Sequence, residues 1–124
     1  MDAVGKILIA DDVEMVLRLE ELFLKRLGCH VIKAKTGPEA LKKIQSEKPK
    51  VVLLDLEMPE MTGDAVCKFT KSSPSTKNIV VIMVTSHGKK EDEERCRRSG
   101  CDYFITKPID HKELIARVEE ALKK

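Results

Sequence analysis

The sequence predicts an α/β fold: one doubly wound parallel sheet of five strands, with strand and helix alternating five times. Three observations predict it. Short aliphatic runs (Ile7-Leu8-Ile9-Ala10, Val51-Val52-Leu53-Leu54, Ile79 to Val84, and Tyr103-Phe104-Ile105) lack the polar alternation of half-exposed strands, as strands covered on both faces do. Helical patterns separate them, with short connections and no repeat or linker. Each run also ends on a group capable of chemistry: Asp11-Asp12, Asp55, Thr85, and Lys107-Pro108. Parallel strands end at one edge, so these positions converge on the crevice where open α/β sheets hold their ligands.

The elements follow in order. A strand over about residues 6 to 10 leads to a helix over about 13 to 27, with Val16, Leu19, Phe23 and Leu27 at helical spacing and Gly28 as its stop. A second strand lies near 30 to 34. Thr36-Gly37-Pro38-Glu39 has capping-box spacing and a proline suited to a first turn, and the helix it opens buries Leu41 and Ile44. The third strand, about 50 to 54, delivers Asp55 into a loop through Gly63, beyond which Ala65, Val66 and Phe69 mark a short helix. The fourth ends at Thr85. Lys89 to Ser99 carries acids early and bases late, as the helix dipole favours, but only Cys96 is apolar, so this helix is expected to be weakly anchored. The last strand runs from Tyr103 to Ile105. The final helix opens at Asp110 with Glu113 three residues on, and buries Leu114, Val118, Ala121 and Leu122.

With 124 residues the chain suits a single domain, residues 1–124, with a real core. Lys plus Arg number 23 against 21 acids, and this near balance offers no strong field for nucleic acid or an anionic membrane. No secretory signal is visible and the longest apolar run is too short to span a bilayer, so a cytoplasmic protein is expected. Cys29, Cys67, Cys96 and Cys101 show no C-x-x-C or zinc-finger spacing and read as packing thiols. The sharper alternative is a metal or redox site built on Cys96, Cys101 and a nearby histidine.

Clustered aspartates repel by roughly 4 kcal/mol per pair at 4 Å and an effective dielectric near 20, so the cluster asks for a cation. All-oxygen donors favour a hard ion, and Mg²⁺, which keeps waters and takes one or two carboxylates plus a phosphate, fits best. Lys107 and Thr85 add groups suited to phosphoryl oxygens, and an aspartate can itself take phosphate as an acyl phosphate. Asp55, at the end of the central strand, is the candidate acceptor, with Asp11 and Asp12 as metal ligands.

The ordered set Asp11-Asp12, Asp55-Leu56-Glu57-Met58-Pro59-Glu60-Met61-Thr62-Gly63, Thr85-Ser86 and Gly100 to Pro108 resembles the receiver domain of bacterial two-component response regulators over essentially the whole chain. The resemblance implies a flavodoxin-like strand order 2-1-3-4-5. It implies phosphorylation of Asp55 by a histidine kinase or histidine phosphotransfer protein, with Mg²⁺ among Asp11, Asp12, Asp55 and the Glu57 main-chain carbonyl. It further implies that Lys107 contacts the phosphoryl group, that Thr85 turns toward it, that Phe104 is the aromatic switch residue, and that Lys107-Pro108 is cis. Phe104 lacks the hydroxyl many members carry there. Glu57 and His87, two residues beyond Asp55 and Thr85, border the site where such residues modulate hydrolysis.

The expected output surface is the face shared by the fourth helix, fifth strand and last helix, which would contact a downstream protein or output domain and is also a candidate homodimer surface. Direct nucleic-acid binding and membrane contact are not expected. The domain would act as a phosphoacceptor with self-catalysed phosphorylation and dephosphorylation rather than as an enzyme. Three rival readings fit the sequence less well. A haloacid-dehalogenase-type phosphatase needs a D-x-D pattern, and Glu57 stands at its second position. A flavin site would place phosphate against Asp11-Asp12. A phosphate-independent binding module has no need of the complete acceptor, metal and lysine set.

Overall fold

The computed structural model describes residues 5–86 and 90–124. Its elements are β1 (Lys6–Ala10), α1 (Glu14–Arg26), β2 (His30–Ala34), α2 (Gly37–Glu47), β3 (Val51–Asp55), α3 (Gly63–Ser72), β4 (Val80–Thr85), α4 (Lys90–Arg98), β5 (Tyr103–Thr106) and α5 (His111–Leu122). All strand pairs are parallel, in the order β2-β1-β3-β4-β5. The central strands β3 and β4 are buried at every residue, which is why their sequences run apolar without alternation.

Strand alternation divides the interior into two layers. Leu8, Val52, Leu54, Val81 and Met83 face α2, α3 and α4 through Ala40, Ile44, Val66, Cys67 and Cys96. Ile7, Ile9, Leu53, Ile82, Val84 and Ile105 face α1 and α5 through Leu17, Leu24, Leu114, Val118 and Ala121. Neighbours in β5 divide the same way, with Phe104 on the first layer and Tyr103 on the second. Leu122 is only partly buried.

Two helices bury a row different from the expected one. In α1 the core-facing residues are Leu17, Glu20 and Leu24, while Leu19 is 53% exposed and Val16, Phe23 and Leu27 are only partly covered. The true stripe passes through a glutamate, so apolar spacing alone favoured the row one position away. In α3, Val66, Cys67 and Thr70 are buried and Phe69 is 58% exposed. Thr70 reaches an inward position because its hydroxyl donates to the Val66 carbonyl at 2.9 Å and its own carbonyl accepts from the Thr76 hydroxyl at 2.7 Å.

Helix ends follow local chemistry. Thr36 Oγ1 accepts from the Glu39 N–H at 3.2 Å and Asp110 Oδ1 from the Lys112 N–H at 3.0 Å, each satisfying a donor of the first turn. Gly28 and Gly100, at φ 88° and 89°, take the left-handed conformation just beyond α1 and α4.

At the N-terminus of α3, Gly63 lies so close to the end of β3 that a Cβ there would collide with the Asp55 carbonyl and crowd Leu56. Its own N–H donates to the Leu56 carbonyl at 2.8 Å. Replacing Gly63 with alanine is expected to cost about 1–3 kcal/mol in urea unfolding, the usual range for forced overpacking.

Candidate functional site

Strand order reverses between β1 and β3, whose chains leave the sheet toward opposite faces, and the crevice of a doubly wound sheet opens there. Asp11 follows β1 directly and is 1% exposed. Its N–H donates to the Ala34 carbonyl at 3.1 Å, and its Oδ1 accepts from the Val13 N–H at 2.9 Å where α1 begins. Asp55 closes β3 opposite Val84, and the following N–H of Leu56 donates to the Val84 carbonyl at 2.7 Å. Asp12 is exposed beside them. One carboxylate oxygen from each of Asp11, Asp12 and Asp55 lies within 4.8 Å of the others.

Lys107 enters from the far end of the chain. Its ammonium is 2.7 Å from Asp11 Oδ2 and 3.4 Å from Asp55 Oδ1. Its N–H donates to the Thr85 carbonyl at 2.7 Å, which ties the end of β5 to the end of β4, and the Lys107–Pro108 peptide is cis. Thr85 is buried at the last residue of β4, paired in register with Thr106. The edge therefore brings together Asp11, Asp12, Asp55, Thr85 and Lys107. Phe104 is half-buried one strand further out, and His87 lies outside the described residues.

The electrostatics show what this geometry costs. Burial and the Asp11 charge push the Asp55 carboxyl up to about 6, against the opposing pull of Lys107. Burial works to lower the Lys107 ammonium, but the Asp11 hydrogen bond and the Asp55 charge outweigh it and hold it above its usual value. One ammonium thus faces three acids. The donor set is hard, all-oxygen and short of positive charge, and so fits a Mg²⁺ ion.

Glu57 takes a part its position alone does not reveal. Its Oε1 accepts from Arg95 Nη1 at 3.0 Å, and Arg95 Nη2 is also 3.0 Å from Asp64 Oδ1. Arg95 thus fastens α4 to the loop after β3 and to the first turn of α3. The helix expected to be weakly anchored is held by an ionic clamp as well as by Cys96.

Glu20 is an acid that apolar spacing does not single out. Glu20, on the inner row of α1, is 4% exposed and lines a groove of about 220 Å³ with Val16, Phe23, Lys107, Pro108 and Leu114. Burial, reinforced by the charges of Asp11 and Asp55, pushes its carboxyl up to about 8. The available signal was its place midway between Leu17 and Leu24, which reads as a polar interruption of an apolar row.

The response regulator receiver domain model matches residues 7–119. The chain belongs to that family. It is 33% identical over 116 residues to the polar-differentiation response regulator DivK of Brucella anthropi, covering 94% of each chain. The signal receiver domain of a signal transduction histidine kinase from Syntrophus aciditrophicus superposes with a TM-score of 0.90 at 31% identity, over 96% of this chain and 90% of that one. CheY in the CheX-CheY-BeF3-Mg²⁺ complex from Borrelia burgdorferi gives 0.87 at 29% identity, over 96% and 90%. The receiver is thus a phosphorylation-dependent signalling switch of a two-component system, and receivers of this family bind Mg²⁺ at such an acidic pocket.

Glu20 favours its protonated form in the fold. As pH rises from 4.5 toward about 8, the unfolded chain ionises this group first and stability falls across that window. Glu20→Leu should remove most of the slope and add roughly 2–4 kcal/mol at pH 8, read by urea unfolding in metal-free buffer, while the two proteins converge below pH 4.5. Separately, Arg95→Ala should raise amide exchange across Lys90–Arg98 while lowering global stability by only about 1 kcal/mol, because the ion pairs it breaks are partly solvated.

Proposed function

We propose that Asp55 is the phosphoacceptor, and that Asp11, Asp12, Asp55 and the Glu57 main-chain carbonyl hold the Mg²⁺. The observation carrying this reading is the meeting of three carboxylates within 4.8 Å beside the Lys107 ammonium at the sheet edge. A carboxylate oxygen of Asp55 attacks the phosphorus of a phosphohistidine on a histidine kinase or phosphotransfer protein. The new O–P bond forms as the N–P bond breaks, and imidazole leaves. Bound Mg²⁺ supplies charge neutralisation for the phosphoryl oxygens.

Lys107, already shared between Asp11 and Asp55, gives the transferred group an ammonium contact without leaving the site. Thr85, at the adjacent strand end, turns its hydroxyl to a phosphoryl oxygen, and Phe104 follows in the next strand. The face of α4, β5 and α5 then reads out the change to a downstream protein, an output domain or a second copy of the chain. Going from 1% to 99% active needs about 5.5 kcal/mol of differential stabilisation, within reach of a few charge-assisted hydrogen bonds. Water returns Asp55 to its free form, at a rate to which Glu57 and His87 contribute. On this reading residues 1–124 form one receiver that acts in the cytoplasm as a phosphoacceptor with self-catalysed turnover of its phosphate.

Incubation with Mg²⁺ and acetyl phosphate, followed by intact-mass measurement, tests the assignment. One phosphoryl adduct is expected on the wild type, none on Asp55→Asn, and none on the wild type in EDTA. An undiminished adduct on the variant would move the acceptor elsewhere.

A further inference from the structure

Cys96 and Cys101 have no part in phosphoryl transfer, yet the fold brings both to the wall of one groove. Cys96 is fully buried in the last turn of α4, and Cys101 is half-buried just before β5. Between them the chain reverses through Ser99 and the left-handed Gly100. The reversal is tightly held. Ser99 Oγ donates to the Cys96 carbonyl at 2.5 Å, and the Gly100 N–H donates to the Arg97 carbonyl at 3.1 Å. On the far side of the turn, Asp102 Oδ2 accepts from the Val81 N–H and from the Lys71 ammonium, both at 2.8 Å. Neither end can readily drift away, and Cys101 packs against the core cluster that contains Cys96.

Access and polarity differ between the two. Both line a groove of about 140 Å³ with Glu93, Arg97 and Phe104, but only Cys101 is partly exposed to solvent. The neighbouring Cys96 thiol draws the Cys101 thiol below its usual range against burial and the Asp102 charge, with the Lys71 ammonium helping, while Cys96, buried beside it, is held protonated. Oxidant-sensitive cysteine pairs have this division: a reachable thiolate beside a protected thiol that can resolve it. A third thiol, Cys67 on α3, is occupied as a donor to the Ser99 carbonyl at 3.4 Å.

We infer that Cys96 and Cys101 form a reversible intramolecular disulfide when the protein meets hydrogen peroxide. The Cys101 thiolate attacks one peroxide oxygen. The O–O bond breaks, hydroxide leaves, and Cys101 becomes a sulfenic acid. The Cys96 sulfur then attacks the Cys101 sulfur and the S–O bond breaks. The departing hydroxide takes up the Cys96 proton, and the hydroxide released first takes up the proton lost from Cys101. Two thiols and one peroxide give one disulfide and two waters. The new bond joins α4 to the entrance of β5, within the surface assigned above to output.

The full chain treated with one equivalent of hydrogen peroxide should lose the mass of two hydrogen atoms, and alkylation after unfolding should then add two fewer groups than it adds to the untreated chain. Peptide mapping should link Cys96 to Cys101, and a phosphine reductant should restore the starting mass. Cys101→Ser should slow peroxide consumption roughly tenfold. Cys96→Ser should leave Cys101 as a sulfenic acid captured by dimedone, and Cys96→Ala provides a second resolving-thiol variant should serine be tolerated poorly in the core. Cys29→Ser, on the opposite layer, should behave as wild type. A link to Cys67, a disulfide between two copies of the chain, or a rate unchanged by Cys101→Ser would each overturn the inference.

Discussion

The mutual repulsion of acids held at one sheet edge governs this molecule. Two oxygens 4.8 Å apart repel by roughly 3–4 kcal/mol at an effective dielectric near 20, and the strand ends of β1 and β3 leave them nowhere to retreat. Asp11 is fixed by a backbone bond to β2, a side-chain bond that opens α1, and the Lys107 ion pair. One lysine offsets part of the repulsion, and burial together with the remaining Asp11 charge displaces the Asp55 carboxyl to about 6. A metal ion and a phosphoryl group with its own countercharges therefore meet a site already in want of compensation. Stability has been exchanged here for a place where charge matters.

The same economy extends outward through α4. A helix with a single buried residue would hold to a sheet poorly by apolar contact. Arg95 supplies the attachment, and it does so through Glu57, two residues beyond the proposed acceptor, and Asp64 at the start of α3. The loop carrying Asp55 and the helix on the output side are thereby joined by charge. Partly solvated ion pairs are worth little in stability, which suits a joint that has to yield.

Much of this was legible in the sequence, for identifiable reasons. Parallel strands buried on both faces announce themselves as unbroken aliphatic runs, and the residues after them share an edge by topology, so the sequence pattern alone groups Asp11, Asp12, Asp55, Thr85 and Lys107. Helix faces were harder to read. The inner row of α1 includes Glu20, and no apolar periodicity selects a row with a carboxylate in it. The inner row of α3 includes Thr70, whose polarity is satisfied by hydrogen bonds that spacing cannot show. Arg95 looked like one of several bases at a helix end, and its partners lie 38 and 31 positions away. Side chains whose role depends on a distant partner stay silent until the fold supplies that partner.

The Lys107–Asp11 contact joins positions 96 residues apart. Ribosomal synthesis delivers the acids of β1 and β3 well before the ammonium that steadies them, and domains fold as units. A nascent chain lacking its last strand holds acids without their lysine, and so should answer a phosphodonor poorly. Competence to carry a signal thus arrives together with completion of the domain, and a fragment cut short before β5 lacks Ile105, Leu114, Val118 and Ala121 from the layer that covers the sheet as well as the lysine.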